Sequence, residues 1–578
     1  MSAIVGIYNT NQEPVVPDHS NKLLQSLQQF PADSVQVWES DSIFLGCHNQ
    51  WITPESVGET LPYYDYQRQL AITADAIIDN REELILQLHI DPSEGKYISD
   101  SMLILLAYER WQEDAPKHLI GDFAFMIWDE GKQKIFGARD FSGTRTLYYY
   151  SNNNCFAFST IIKPLFSLPF VKKVLNEQWL AEYLAIPTLV EAVDMNSTVY
   201  HSIFQVPPSH SISVADGIVT LRRYCTIEVN EELKYKSDFE YVDAFKEIFQ
   251  KAVTSRIRTY GSVGSHLSGG LDSGTVVSFA ATALRKQDKQ LHTYSYIPEE
   301  NFEDWTPYYY TPNESLFIKE TVKYIGNIND QLLSFEGRNP LSEVDETLEL
   351  MEMPYKFFDN SFWLKGINEI AHKQGVKVLL NGARGNHSIS WGSWSLTTDY
   401  YARLLKKFKW ISLFNELNHY TRVYQTGKSN ILPIITKKAF PIINLHQKKN
   451  DQDYQFPQFI SDELAIKTNV YEKLQDYGMD ISGSADKRNL NEYRKAYYQQ
   501  LYPWNKSGVA NTNLSLRYSM WDRDPTNDLE LIKFCLALPE EQYVKGGLER
   551  SFIRRATKGV LPDMVRLNQK AGGSRGQT

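Results

Sequence analysis

A chain of 578 residues is longer than one hydrophobic core ordinarily serves, so two domains or more are expected. With 42% hydrophobic and 22% charged residues and a net charge of −10, it has the balance of a soluble globular protein and not the basic field a general nucleic-acid binder needs. Four dispersed cysteines without a CxxC pair exclude a disulfide framework and a zinc site, and no apolar run is long enough for a transmembrane segment, so a cytoplasmic protein is expected.

The first part reads as short strands: Ala3–Tyr8, Ser42–Gly46, Leu70–Ala74, Phe123–Trp128, Lys134–Ala138, Thr146–Tyr150 and Cys155–Ser159. These are β-branched or aromatic runs bounded by Asn, Asp and Gly. Helices are expected at Arg81–Leu88 and Ser101–Trp111, and strands again between Ile203 and Tyr224. Strands in runs with few helices imply an α+β domain of packed antiparallel sheets, closing near the polar stretch Glu228–Asp238. The rhythm then changes to helix 238–260, helix 274–285, strand 291–297, helix 314–325, strand 331–334, helix 362–374 and strand 376–380. That alternation predicts an α/β domain whose ligand site lies at the carboxyl ends of parallel strands. Beyond Trp391 the pattern is mostly helical, with a polar loop at 444–459 and an amphipathic stretch Arg403–Arg422 expected to be a solvated helix face.

The segment Leu267-Ser268-Gly269-Gly270-Leu271-Asp272-Ser273 falls between a predicted strand and a predicted helix. Its paired glycines let a ligand approach the backbone. The hydroxyls of Ser268 and Ser273 and the first helical amides are donors for phosphate oxygens, and the helix N-terminus favours negative charge. Asp272 is the hard anionic group that Mg²⁺ prefers. No Gly-Lys-Ser/Thr follows, so this is not the Walker loop. It resembles the SGGxDS PP-loop of enzymes that split ATP between its α- and β-phosphates.

With that loop behind a β-rich first domain, the chain resembles the asparagine synthetase B family almost end to end. Matching stretches are Asp79-Asn80-Arg81-Glu82-Glu83-Leu84, Gly121-Asp122-Phe123-Ala124-Phe125, Ala138-Arg139-Asp140-Phe141, Arg523-Asp524-Pro525-Thr526 and Leu561-Pro562. The resemblance implies an Ntn-type, class II glutamine amidotransferase-like α+β sandwich over residues 1–228. It implies an α/β PP-loop ATP pyrophosphatase domain (adenine nucleotide alpha hydrolase-like) with helical additions over 235–578. The nucleophilic cysteine that this family places after Met1 is Ser2 here, Gln50 replaces an arginine, and Asp75-Ala76 replaces Asn-Gly, with Asp100 retained. An alkoxide is far less accessible than a thiolate at neutral pH, so the first domain is expected to have lost glutaminase activity.

Gly385-Asn386 followed by Ile389-Ser390-Trp391-Gly392 resembles the lasso peptide cyclases, whereas Ala383 stands where β-lactam synthetases carry tyrosine. This branch implies adenylation of an Asp or Glu side chain in a ribosomally made precursor peptide, macrolactam closure by the peptide's own amine, and a leader-peptidase or leader-binding partner. A small-molecule amide or β-lactam synthetase, or a non-catalytic peptide-binding scaffold, are the alternatives. By resemblance ATP and Mg²⁺ are the cofactors, with nucleotide contacts at Leu267–Ser273, Tyr294, Ser295, Asn381 and Gly382, metal at Asp272 and Asn386, and Asp272 and Lys570 in the chemistry. Arg384 is expected either to bind an anion or to form a salt bridge within its loop.

Overall fold

The computed structural model describes residues 2–307, 310–440, 459–479 and 490–569, with the backbone of 571 and 572. The polar loop expected at 444–459 lies, up to residue 458, outside the described residues, and so does Lys570.

The first domain is built on two six-stranded sheets. One runs Phe204–Gln205, Tyr148–Ser151, Cys155–Ser159, Ser2–Asn9, Ile43–Asn49 and Ser34–Ser40 in spatial order, and the other Ile218–Arg223, His210–Ala215, Lys134–Arg139, Gly121–Asp129, Leu70–Ile78 and Tyr63–Asp65. Neighbouring strands are antiparallel throughout. The period of two divides Ser2–Asn9 between two cores. Ile4 and Tyr8 pack with Phe125, Ile127 and Phe136 of the second sheet, while Ala3, Val5 and Ile7 join the cluster that holds Leu23 of the helix Pro17–Gln25. The helix Asp100–Trp111 covers the far side through Ile104 and Leu105, and the Ser99 hydroxyl accepts from the Met102 amide at 3.3 Å to cap it. The outcome is a helix–sheet–sheet–helix sandwich.

The second domain carries a five-stranded parallel sheet in the order Ile328–Leu333, Leu291–Tyr296, Ser262–His266, Val376–Leu380 and Trp521–Arg523. From the central strand the chain first winds outward to one side, then returns to add Val376–Leu380 and Trp521–Arg523 on the other. The direction of winding reverses between Ser262–His266 and Val376–Leu380, so the loops leaving these two strands open a crevice at their carboxyl ends.

Several expectations shift in detail. The helix expected to reach Tyr260 ends at Arg256, because the next residues turn into the first domain: Arg258 pairs with Glu55 and Asp100, and the Thr259 hydroxyl donates to the Ile52 carbonyl at 2.7 Å. The helix expected from Gly274 begins at Leu271, making Leu271-Asp272-Ser273 its first turn. The strand Trp521–Arg523, too short at three residues to show a period, and the nine-residue helices Pro17–Gln25 and Glu177–Ala185 are additions to the expected elements. Beyond Trp391 the described residues are mainly helical, as expected, and no helix among them is long and apolar enough to cross a membrane.

The domains meet through buried charge. Arg523, fully buried, donates to both oxygens of Asp79 at 2.8 and 2.7 Å and lies 3.0 Å from Asp122. Arg256 lies 3.4 Å from Asp79 and 2.9 Å from Asp528. Removing one member of such a set strands the other charges in a medium that solvates them poorly. Arg523→Ala is therefore expected to cost about 3–5 kcal/mol, read as a lower urea midpoint of the transition in which the domains separate.

Candidate active site

The crevice is formed by three chain segments. The first is the loop leaving the central strand. Leu267 donates its amide to the Tyr294 carbonyl at 3.0 Å and buries its side chain, which fixes the loop to the neighbouring strand. The Ser268 and Ser273 hydroxyls lie 2.8 Å apart, the Gly270 amide donates to Ser268 Oγ at 3.2 Å, and the Ser268 amide donates to Ser273 Oγ at 3.1 Å. The turn is thus held shut by its own serines, with the N-terminus of the fifteen-residue helix Leu271–Arg285 directed at the crevice. Gly270 is the N-cap, and Leu271 anchors that first turn in the core. Gly269 sits in a tight space, where a Cβ would stand 3.0 Å from both Glu314 Oε1 and Phe317 Cβ.

The second segment is Asn381–Gly385, after Val376–Leu380. Asn381 receives its backbone partner from Arg523, at 2.9 Å, and its side-chain amide donates to Asp522. Its Oδ1 accepts from the Ala383 amide at 2.9 Å, so the loop turns back over Asp272. A Cβ on Gly382 would lie 3.2 Å from the Asp272 carbonyl carbon, and one on Gly385 would lie 2.4 Å from Asp272 Cγ. Glycine at these positions is what lets the loop close on the carboxylate. Asp272 Oδ1 is buried with no hydrogen-bond partner among the described residues. Burial pushes this carboxyl group up to about 6, against the pull of the Arg550 charge and the Ser390 hydroxyl, and Asp524 adds to the rise.

The third segment is Asp522-Arg523-Asp524, which the sequence alone did not single out as part of the site. Asp524 accepts from the Arg384 amide and from Thr526, and burial raises its carboxyl group. Burial, then the Asp524 charge, pushes Asp522 up to about 7. Glu314 beside Gly269 and Arg550 facing Asp272 are further groups that only the fold brings here.

The remaining expected residues divide. Ser295 lies at the carboxyl end of its strand with Oγ buried and without a hydrogen-bond partner among the described residues, an orphaned donor and acceptor beside the loop. The Tyr294 side chain, in contrast, packs with Ile367, Ala371 and Leu379 and donates to Gln374 Oε1 at 2.7 Å, so only its backbone serves the loop. Asn386 follows Gly385 and is exposed, and no group of three His, Cys, Asp or Glu side chains suited to a metal occurs among the described residues. Arg384 does neither of the things expected of it. Its guanidinium is buried over the Trp504 ring and donates to the Pro503 and Trp504 carbonyls, Tyr497 and Ser507, fixing the loop to the helix Tyr502–Tyr518.

At the first domain's N-terminus the Ser2 hydroxyl donates to Asn49 Oδ1 at 2.7 Å and the Ser2 amide donates to Asp75 at 2.9 Å. Asp75 also pairs with the fully buried Arg145 at 2.7 Å, whose guanidinium lies 4.5 Å over Trp521 of the second domain. Asp100 is taken by Arg81 and Arg258. The cavity lined by Ser2, Asn49, Gln50, Glu59 and Ala76 measures about 20 Å³, the space of one water. Cys47, in contact with Ser2, is buried and its thiol is pushed up to about 12.

Residues 1–225 match the glutamine amidotransferase domain family, and residues 244–577 match the asparagine synthase family. The chain therefore belongs to the asparagine synthase family, a class of ATP-dependent, amide-forming ligases. Among its relatives, asparagine synthetase [glutamine-hydrolyzing] 3 of Bacillus subtilis is 23% identical over 558 residues, covering 95% of this chain and 83% of that one. Asparagine synthetase [glutamine-hydrolyzing] 1 of the same organism is 22% identical over 604 residues, covering 99% and 86%. Amidase chry2 of Gibberella zeae is 24% identical over 369 residues, covering 60% and 51%.

The Gly385–Asp272 approach is open to a direct test. Gly385→Ala must move the loop or the carboxylate, and displacement of a reacting group by about 1 Å costs on the order of a hundredfold. ATP–pyrophosphate exchange is expected to drop by that factor while circular dichroism stays unchanged.

Proposed function

We propose that this chain is a peptide cyclase: it adenylates an Asp or Glu side chain of a precursor peptide and closes a macrolactam with the peptide's N-terminal amine, without hydrolysing glutamine. The observation that carries this reading is the pairing of two sites. One is a built pyrophosphate loop with an orphaned carboxylate at Asp272; the other is an N-terminal pocket of about 20 Å³ with Ser2 in place of a cysteine. A ligase that makes no ammonia needs an amine from its substrate.

The Ser268–Ser273 turn and the first amides of its helix hold the β- and γ-phosphates, and Ser295 and the Asn381–Gly382 backbone hold the nucleoside. Asp272 fits one ligand of a Mg²⁺ ion, and when bound the ion offsets charge building on the departing pyrophosphate. Asn386, exposed beside it, is at most a ligand through its carbonyl. The substrate carboxylate attacks the α-phosphorus and pyrophosphate leaves. The peptide amine then attacks the acyl carbon, loses a proton and expels AMP. Lys570 is assigned to the negative charge that develops in these steps. The protein's main contribution is orientation, because ring closure within one peptide gains greatly from holding amine and adenylate together. A leader peptidase or leader-binding protein is the proposed partner that delivers the peptide.

The test is mass spectrometry of a leader-free acidic peptide with the protein, ATP and Mg²⁺, and no glutamine. A peptide lighter by one water is expected, unchanged in Ser2→Ala and reduced about a hundredfold or more in Asp272→Asn. Amidation of a free carboxylate by added glutamine or ammonia, with no ring, would sink the proposal. Burial holds the Asp272 carboxyl group up to about 6 in the metal-free site, so protons and Mg²⁺ compete for it. Peptide-dependent pyrophosphate exchange at limiting Mg²⁺ is expected to fall on acidification, with the fall moving to lower pH as Mg²⁺ is raised, and Asp272→Asn to be low and flat.

A further inference from the structure

The helices Trp394–Lys406 and Trp410–Val423 form a hairpin whose inner faces bury Leu404, Leu413 and Leu417. Its tip is arranged the other way. Phe408, Trp410, Ile411 and Phe414 are exposed, Ile411 by 81% and Phe408 by 71%. The Phe408 and Trp410 rings lie 6.1 Å apart, and Lys428 stands 3.8 Å over the Phe414 ring. Lys406, Lys407 and Lys409 surround these side chains, are exposed, and form no ion pair among the described residues. No acidic residue occurs between Asp399 and Glu416, in a chain whose net charge is −10.

We propose that this tip seats in the headgroup region of an anionic lipid leaflet. A protein partner is the less suitable occupant, since lysine is depleted from the cores of protein interfaces. Lysines flanking Trp, Phe and Ile are instead the composition of interfacial membrane contacts, where the lysine stems lie along apolar surface and their ammonium groups reach lipid phosphates. The net negative charge sharpens the assignment. An anionic leaflet repels most of this surface, and screening confines attraction to about a Debye length of roughly 8 Å, so only the basic tip can approach. The protein would be held reversibly by this one corner, with the crevice described above on a different part of the second domain's chain.

Co-sedimentation of the full chain with vesicles tests this. Binding is expected to phosphatidylcholine vesicles containing about 30% phosphatidylserine, weakening with salt, and not to phosphatidylcholine alone. Reversing three charges in K406E/K407E/K409E is expected to lower binding more than about a hundredfold. W410S/I411S/F414S is expected to abolish it, with the melting temperature of both variants near that of the parent. No binding to either vesicle overturns the proposal, as does equal binding to both that survives the lysine reversal. Tip-dependent self-association or binding to an acidic peptide, with vesicles ignored, would make the surface a protein contact and overturn it equally.

Discussion

Arg523 ties the molecule together. Its guanidinium is fully buried against Asp79 and Asp122 of the first domain, while its backbone closes the edge of the parallel sheet and receives the Asn381 amide. The residues on either side, Asp522 and Asp524, hold the Asn381–Gly385 loop from two directions. Docking of the domains and shape of the crevice are therefore one constraint. The charge that fixes one domain on the other sits in the same three residues that position the loop lying over Asp272. A buried arginine costs much to desolvate, and only a full set of carboxylate partners makes its place stable.

The same constraint reaches into the first domain. Asp75 pairs with Arg145, Arg145 lies over Trp521, and Asp100 is bound by Arg81 and Arg258. Asp100 and Arg145 of the first domain are partners in the domain interface. The first domain thus supports the second, and its sandwich has a structural use whatever chemistry occurs at Ser2.

Within the crevice, the closeness of Asp272 to Gly385 sets the electrostatics. Burial disfavours the charged form, against the pull of Arg550 and the Ser390 hydroxyl, and leaves Oδ1 without a hydrogen-bond partner among the described residues. A site that leaves an anion unsatisfied is prepared for a positively charged partner. The serines do the opposite, satisfying one another across 2.8 Å and holding the turn in shape.

The sequence by itself determined the two-domain division, the alternation of strand and helix in the second half, and the loop at Leu267–Ser273, because each rests on local pattern: period-two strands, paired glycines, a helix start. It also shows a serine, Ser2, directly after Met1. The tertiary structure alone decided which distant groups join the loop. Asp522, Asp524, Glu314 and Arg550 lie far from it in the chain, and although Asp524 falls in a stretch that resembles the family, no local pattern places any of them beside the loop, since a three-residue strand such as Trp521–Arg523 has no periodicity to read. The same reason separates the fates of neighbours. Ser295 keeps a buried hydroxyl without a hydrogen-bond partner among the described residues while Tyr294 is spent in the core, and Arg384 proved a buried fastener of its loop. Such choices depend on which side chain the packing leaves unsatisfied, and packing exists only once the chain is folded.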